Sequence, residues 1–127
     1  MAAFDVRAVQ QRLAAAKGGY EVIHESAGLE VGVYVLAAPE PDRQQPHAED
    51  EIYLVLEGSG VLEVAGEPTP LGEGEGMFVR AGLEHHFSGY ERLSLLVIFV
   101  HEGLTSGLSF DSTPGPGDSE GQPPASP

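Results

Sequence analysis

Apolar positions along the chain follow two different periods. Over the first 16 residues, Phe4, Val9, Leu13 and Ala16 recur close to the helical period, and Lys17-Gly18-Gly19 supplies a stop. This predicts one short helix packed on the rest of the domain. A single helix cannot make a helix-turn-helix reader of DNA. From Tyr20 onward the period falls to two. Val31, Val33 and Val35 alternate with smaller or polar residues. Residues 61–64, 77–79, 85–88 and 93–101 read as further short strands. Turn chemistry separates them at Glu57-Gly58-Ser59-Gly60 and Ala65-Gly66-Glu67. Residues 71–76 form a Gly-rich connection. It lacks the Lys-Ser/Thr end of a phosphate loop, so its expected role is structural. The strand 93–100 is apolar on both faces, which suits burial against a second subunit or beneath the N-terminal helix.

Short strands at close spacing, with only a terminal helix, predict an all-β sandwich or barrel. Of the 17 residues in 111–127, 11 are Pro, Gly or Ser. That composition cannot offset its ordering entropy, so a disordered tail is expected there. The expected organisation is a helix over 1–19, a barrel over 20–110 and the tail over 111–127.

Composition narrows the function. Against 20 acidic residues stand 6 basic ones, for a formal charge of −14. Such a chain repels phosphate backbones and anionic lipid, so neither nucleic acid nor membrane is an expected partner. No apolar run approaches the roughly 20 residues of a spanning helix. The N-terminal sequence has no basic start followed by an apolar stretch, and a cytoplasmic location is the expectation. Cysteine is absent, which removes disulfides, thiolate metal sites and a cysteine nucleophile together.

The chemistry then rests on histidines and carboxylates. In an extended segment, Gln45, His47, Glu49, Glu51, Tyr53 and Val55 share one face, and Ile52, Leu54 and Leu56 the other. If the first face lines a barrel, His47 and Glu51 project inward together. A second element, Gly82-Leu83-Glu84-His85-His86-Phe87, offers one more inward imidazole. Period two cannot say whether it is His85 or His86. Two imidazoles and a carboxylate suit a divalent first-row metal, while a solvated acidic turn at Glu49-Asp50-Glu51 is the plain alternative. Tyr53 and Glu49 are candidate proton-handling catalytic residues. Arg80, beside the second element, is a candidate carboxylate anchor for substrate or else an ion-pair partner. His24 and His101 read as rim or core histidines.

In these two elements the sequence resembles the cupin superfamily, specifically its small single-domain members. His47, three residues, Glu51, six residues and Gly58 match the second half of the first cupin motif. Gly74, five residues, Arg80-Ala81-Gly82, two residues and His85 match the second. Gln45 stands where that family has a first histidine, Arg80 where it has proline, and Gly89 where it has asparagine. The resemblance implies a six- to eight-stranded antiparallel jelly-roll barrel, often dimeric. It implies that His85 faces inward and His86 does not. It implies a metal set of His47, Glu51 and His85, either as three ligands or with Gln45 as a weaker fourth. The metal would be iron, manganese, zinc or nickel. The expected function is an enzyme on a small organic molecule, of dioxygenase or isomerase type, working as a homodimer. The alternative is a non-catalytic sensor or storage module that binds a metal or ligand. A metal-free isomerase fits less well, because all three ligand positions are kept.

Overall fold

The computed structural model describes residues 3–100. Helix α1 spans Val6–Ala15. Asp5 caps it, with Oδ1 accepting the Ala8 N–H at 3.0 Å. Its far end closes with Gly18 N–H donating to the Leu13 carbonyl at 2.8 Å. The buried face differs from the expected one. Phe4 precedes the helix and is exposed, and Val6, Val9 and Leu13 do the packing.

Eight strands follow: β1 Gly19–Ser26, β2 Leu29–Ala37, β3 Asp50–Gly58, β4 Gly60–Val64, β5 Glu67–Leu71, β6 Gly76–Val79, β7 His85–Ser88 and β8 Arg92–Val100. All pairings are antiparallel. They make a five-stranded sheet ordered β1-β2-β8-β3-β6 and a three-stranded sheet ordered β5-β4-β7. This is the all-β jelly-roll architecture expected, with its short N-terminal helix. Strand β5 goes beyond the expectation, since Pro68 and Pro70 argue against a strand. It pairs only with β4, and an edge strand tolerates prolines because one side of its backbone needs no donor.

The core lies between the sheets. Tyr53, Val55, Leu93, Leu95, Val97 and Phe99 of the large sheet meet Leu62 and Phe87 of the small one. On the outer face, α1 covers Val33, Val35 and Leu96. So the doubly apolar β8 is buried partly beneath its own chain's helix. Register arranges the inner face in layers. Glu30, Phe99, Glu51 and Val79 stand side by side across β2, β8, β3 and β6. Gly32, Val97, Tyr53 and Met77 form the next layer. His101 and the expected tail lie outside the described residues.

Candidate metal centre

Strand β3 alternates as its sequence predicts. Glu51, Tyr53 and Val55 are buried, while Ile52 and Leu54 are exposed. The same alternation in β7 buries His85 and Phe87 and exposes His86, which pairs outside with Glu63 at 3.9 Å. His47 comes from the connection before β3, not from a strand. Two bonds hold that connection and the start of β3 to the β6–β7 corner. Gly82 N–H donates to the His47 carbonyl at 2.8 Å, and Ala81 N–H to Asp50 Oδ1 at 2.9 Å. Gly82 has φ of +83°, the left-handed conformation that lets the corner turn sharply before His85.

These contacts bring His47, Glu51 and His85 together. One potential ligand atom from each lies within 4.8 Å of the others. His85 Nε2 stands 3.0 Å from Glu51 Oε1, and His47 Nδ1 stands 3.5 Å from it. The two imidazoles cross edge to face with centroids 5.0 Å apart, and His47 stacks likewise on Phe99 at 4.8 Å. His47 Nε2, both Glu51 oxygens and His85 Nε2 are buried with no well-formed hydrogen bond. Four buried polar atoms converging without well-formed hydrogen bonds are costly unless something binds them. Two imidazole nitrogens and a carboxylate are the donor set a divalent first-row metal accepts, so the residues fit such an ion. His85 Nδ1 lies 2.8 Å from the Leu83 carbonyl. Donation there leaves the Nε2 lone pair free for a metal.

The electrostatics agree. Burial, with help from nearby His85, pushes His47 down to about 4. Burial raises Glu51, against the opposing pull of His85 and Tyr53. Burial would lower His85, but its contact with Glu51 and its bond to Leu83 outweigh that and raise it. The raised Glu51 and His85 both favour their protonated forms, and a proton held there competes with a metal for the same atoms. We expect zinc affinity, measured by titration calorimetry, to fall as the pH is lowered from 7.5 to 5.5, by at most about tenfold per pH unit for each competing proton. The direction follows from the raised groups: acid refills the site with a proton. A pH-independent affinity would mean these residues are not the ligands.

The other candidates are placed less centrally. Gln45 is exposed and stands outside the group, because residues 45–49 are not a strand and their parity does not carry back from β3. Its neighbour Gln44 takes the inner position instead. Gln44 Oε1 accepts the Tyr53 hydroxyl at 2.6 Å, and its amide donates to Asp42 Oδ2 at 2.6 Å. Asp42 also accepts the Tyr34 hydroxyl at 2.7 Å and the Phe87 N–H at 2.8 Å, tying the β2–β3 connection to both sheets. Neither Asp42 nor Gln44 carries a sequence signal; the one hint is that Tyr53 on an inner face needs a hydrogen-bond partner. Glu49 is half-buried and outside the ligand group. Arg80 is exposed, with no ion-pair partner among the described residues. His24 is half-buried near Ser26, 3.2 Å away.

Comparison with known proteins accords with this geometry. The cupin-domain family model matches residues 32–99. An uncharacterized protein of Streptomyces coelicolor, SCO3923, is 36% identical over 100 residues, covering 78% of this chain and 95% of that one. Among solved structures, TT1209 from Thermus thermophilus superposes with a TM-score of 0.64 at 25% identity, covering 80% of this chain and 98% of that one. The DMSP lyase DddQ from Ruegeria pomeroyi superposes with a TM-score of 0.62 at 23% identity over 68% of this chain, which spans only 48% of the lyase. With the family pattern reaching from β2 to the end of β8, and a relative alike over most of its length, this chain belongs to the cupin family.

Proposed function

We propose that this protein is a metal-dependent enzyme acting on a small organic molecule, of dioxygenase or isomerase type. The observation that carries the reading is the convergence of buried ligand atoms from His47, Glu51 and His85, none of them in a well-formed hydrogen bond. A divalent iron, manganese, zinc or nickel ion held there would supply Lewis acidity or oxygen activation with coordination positions left open. The chain's own residues do the rest. Phe99 and Val79 flank Glu51 in its layer and exclude water. Burial first, and then the charge of Glu51, hold the Tyr53 phenol well above its usual range. Tyr53 therefore stays protonated, with its hydroxyl donated to Gln44 Oε1, and does not act as a base.

That same feature favours the second reading, a module that binds a metal or ligand without turnover. With Tyr53 locked as a donor, a proton acceptor beside the site has to come from the substrate, from water or from Glu49. The homodimer belongs to the same proposal. Outward-facing Ile52, Leu54 and Phe78 are 41%, 37% and 57% exposed, an apolar strip that a second copy would bury.

The test is elemental mass spectrometry on the full chain beside its His47→Ala and His85→Ala variants. We expect about one transition metal per wild-type chain and its loss from both variants. Iron would direct the assay to oxygen uptake, zinc or nickel to isomerisation. No metal in the wild type after reconstitution with several divalent ions would overturn the proposal.

A further inference from the structure

The hydrogen bonds behind Tyr53 run in one direction, and Asp42 sets it. An ionised carboxylate only accepts. Asp42 takes the Tyr34 hydroxyl on Oδ1 at 2.7 Å and the Phe87 N–H on Oδ2 at 2.8 Å. Gln44 reaches the same Oδ2 at 2.6 Å, so it has to present its amide nitrogen there. The reverse orientation would set a carbonyl oxygen against a carboxylate oxygen. Gln44 Oε1 is thereby turned to Tyr53, whose hydroxyl it accepts at 2.6 Å. A phenol has one proton to donate, and Gln44 holds it.

That direction matters for the metal group. Glu51 and Tyr53 stand two residues apart on the inner face of β3, in neighbouring layers, and the Tyr53 hydroxyl lies beside the Glu51 carboxylate. Yet neither Glu51 oxygen has a well-formed hydrogen bond. With the Tyr53 proton committed to Gln44, both oxygens keep their lone pairs for an ion. Without Gln44, the acceptor left beside the hydroxyl is Glu51 itself. A charge-assisted O–H···O bond would then occupy a ligand atom. The network is also fastened to both strands that carry the metal group. Tyr53 belongs to β3, and Asp42 holds the Phe87 N–H on β7, two residues beyond His85.

We propose that Gln44, oriented by Asp42, is a positioning residue of the metal centre: by taking the Tyr53 proton it keeps Glu51 open to the ion. This rests on the metal reading above. Gln44 acts through Tyr53 and not on the ion, so its effect has to vanish when the Tyr53 hydroxyl is absent.

A double-mutant cycle on the full chain tests it, with zinc affinity read by titration calorimetry at pH 7.5. Gln44→Leu removes the acceptor at nearly constant volume. Asp42 keeps its bonds from Tyr34 and Phe87, so its carboxylate is not stranded. We expect Gln44→Leu to weaken zinc binding about tenfold, the lower end for a group that supports a metal ligand. In the Tyr53→Phe background, which has no proton to redirect, the same substitution should change zinc affinity by less than about twofold. A merely structural role for Gln44 would cost the same in both backgrounds. Equal zinc affinity in wild type and Gln44→Leu overturns this inference, and so does a tenfold loss that persists in Tyr53→Phe. Either result leaves the metal reading standing. Failure of the wild type to bind zinc overturns both.

Discussion

Replacing Glu51 with glutamine should abolish metal binding and leave the empty protein at least as stable. Glu51 is fully buried, and neither of its oxygens has a well-formed hydrogen bond. Its carboxyl is raised by burial, so the folded chain holds that proton more tightly than the unfolded chain does. By linkage, its contribution to stability is present in acid and is lost as pH rises through the ordinary carboxylate range and up to the raised value. At neutral pH the acid is therefore a burden on the fold, kept for what it binds. Glutamine has nearly the same shape and carries no charge. His85 need not be stranded by the change, because unlike an arginine it can release its proton and keep the bond to Leu83. Second-sphere substitutions already cost 10–100-fold in metal affinity, so loss of a direct ligand should cost more than about a hundredfold. Zinc titration and thermal melts of metal-free Glu51→Gln beside wild type, at pH 7.5, check both halves. A marked fall in the metal-free melting temperature would show that Glu51 is a structural group of the core.

The second large effect is expected at Gly58, at the end of β3. Its φ is +87°, and an added Cβ would land on the Arg92 carbonyl oxygen. Gly58 pairs with Leu93, so the collision falls on the β3–β8 ladder at the heart of the large sheet. A left-handed residue other than glycine costs roughly 1–2 kcal/mol, and forced overpacking adds roughly 1–3. Gly58→Ala should therefore destabilise by about 3 kcal/mol, equivalent to roughly 15 °C in melting temperature for a domain of this size. Gly66→Ala is the internal control. Its φ is +85°, but nothing lies within 4 Å of the added carbon. It should cost only the backbone strain, about 1 kcal/mol or a little more. Urea denaturation of the two variants separates them. Equal losses would mean that backbone strain, and not the contact with Arg92, governs Gly58.

Local pattern carried much of the fold. Period-two alternation in β3 and β7 depends only on neighbouring side chains pointing to opposite faces, and it placed Glu51 and Tyr53 inward correctly. The turns at Gly58 and Gly66 follow from residue chemistry alone, and both adopt positive φ. Where the chain leaves a strand, that logic stops. Gln45 was expected on the face of Glu51 by extending parity through residues that are not extended, and Gln44 holds the inner position instead. Edge strand β5 was hidden by its prolines, because edge and centre differ only in which neighbours a strand has. The packing face of α1 shifted from Phe4 to Val6 once the start of the helix was set by the Asp5 cap.

The sequence by itself determined the two-layer β architecture and the alternating inner faces, and its cupin-like motifs singled out His47, Glu51 and His85 as the residues that could hold a metal. These follow from periodicity, turn residues and two spaced motifs, each contained within a short stretch of chain. Tertiary structure alone decided what stands around them. The Gly82–His47 and Ala81–Asp50 bonds joining the two motifs, the Asp42–Gln44–Tyr53 network, and the layer that sets Glu30 across Phe99 from Glu51 all depend on strand order and register. Register is a relation between segments distant in sequence. No local spacing encodes it, because the packing of both sheets on one core selects it.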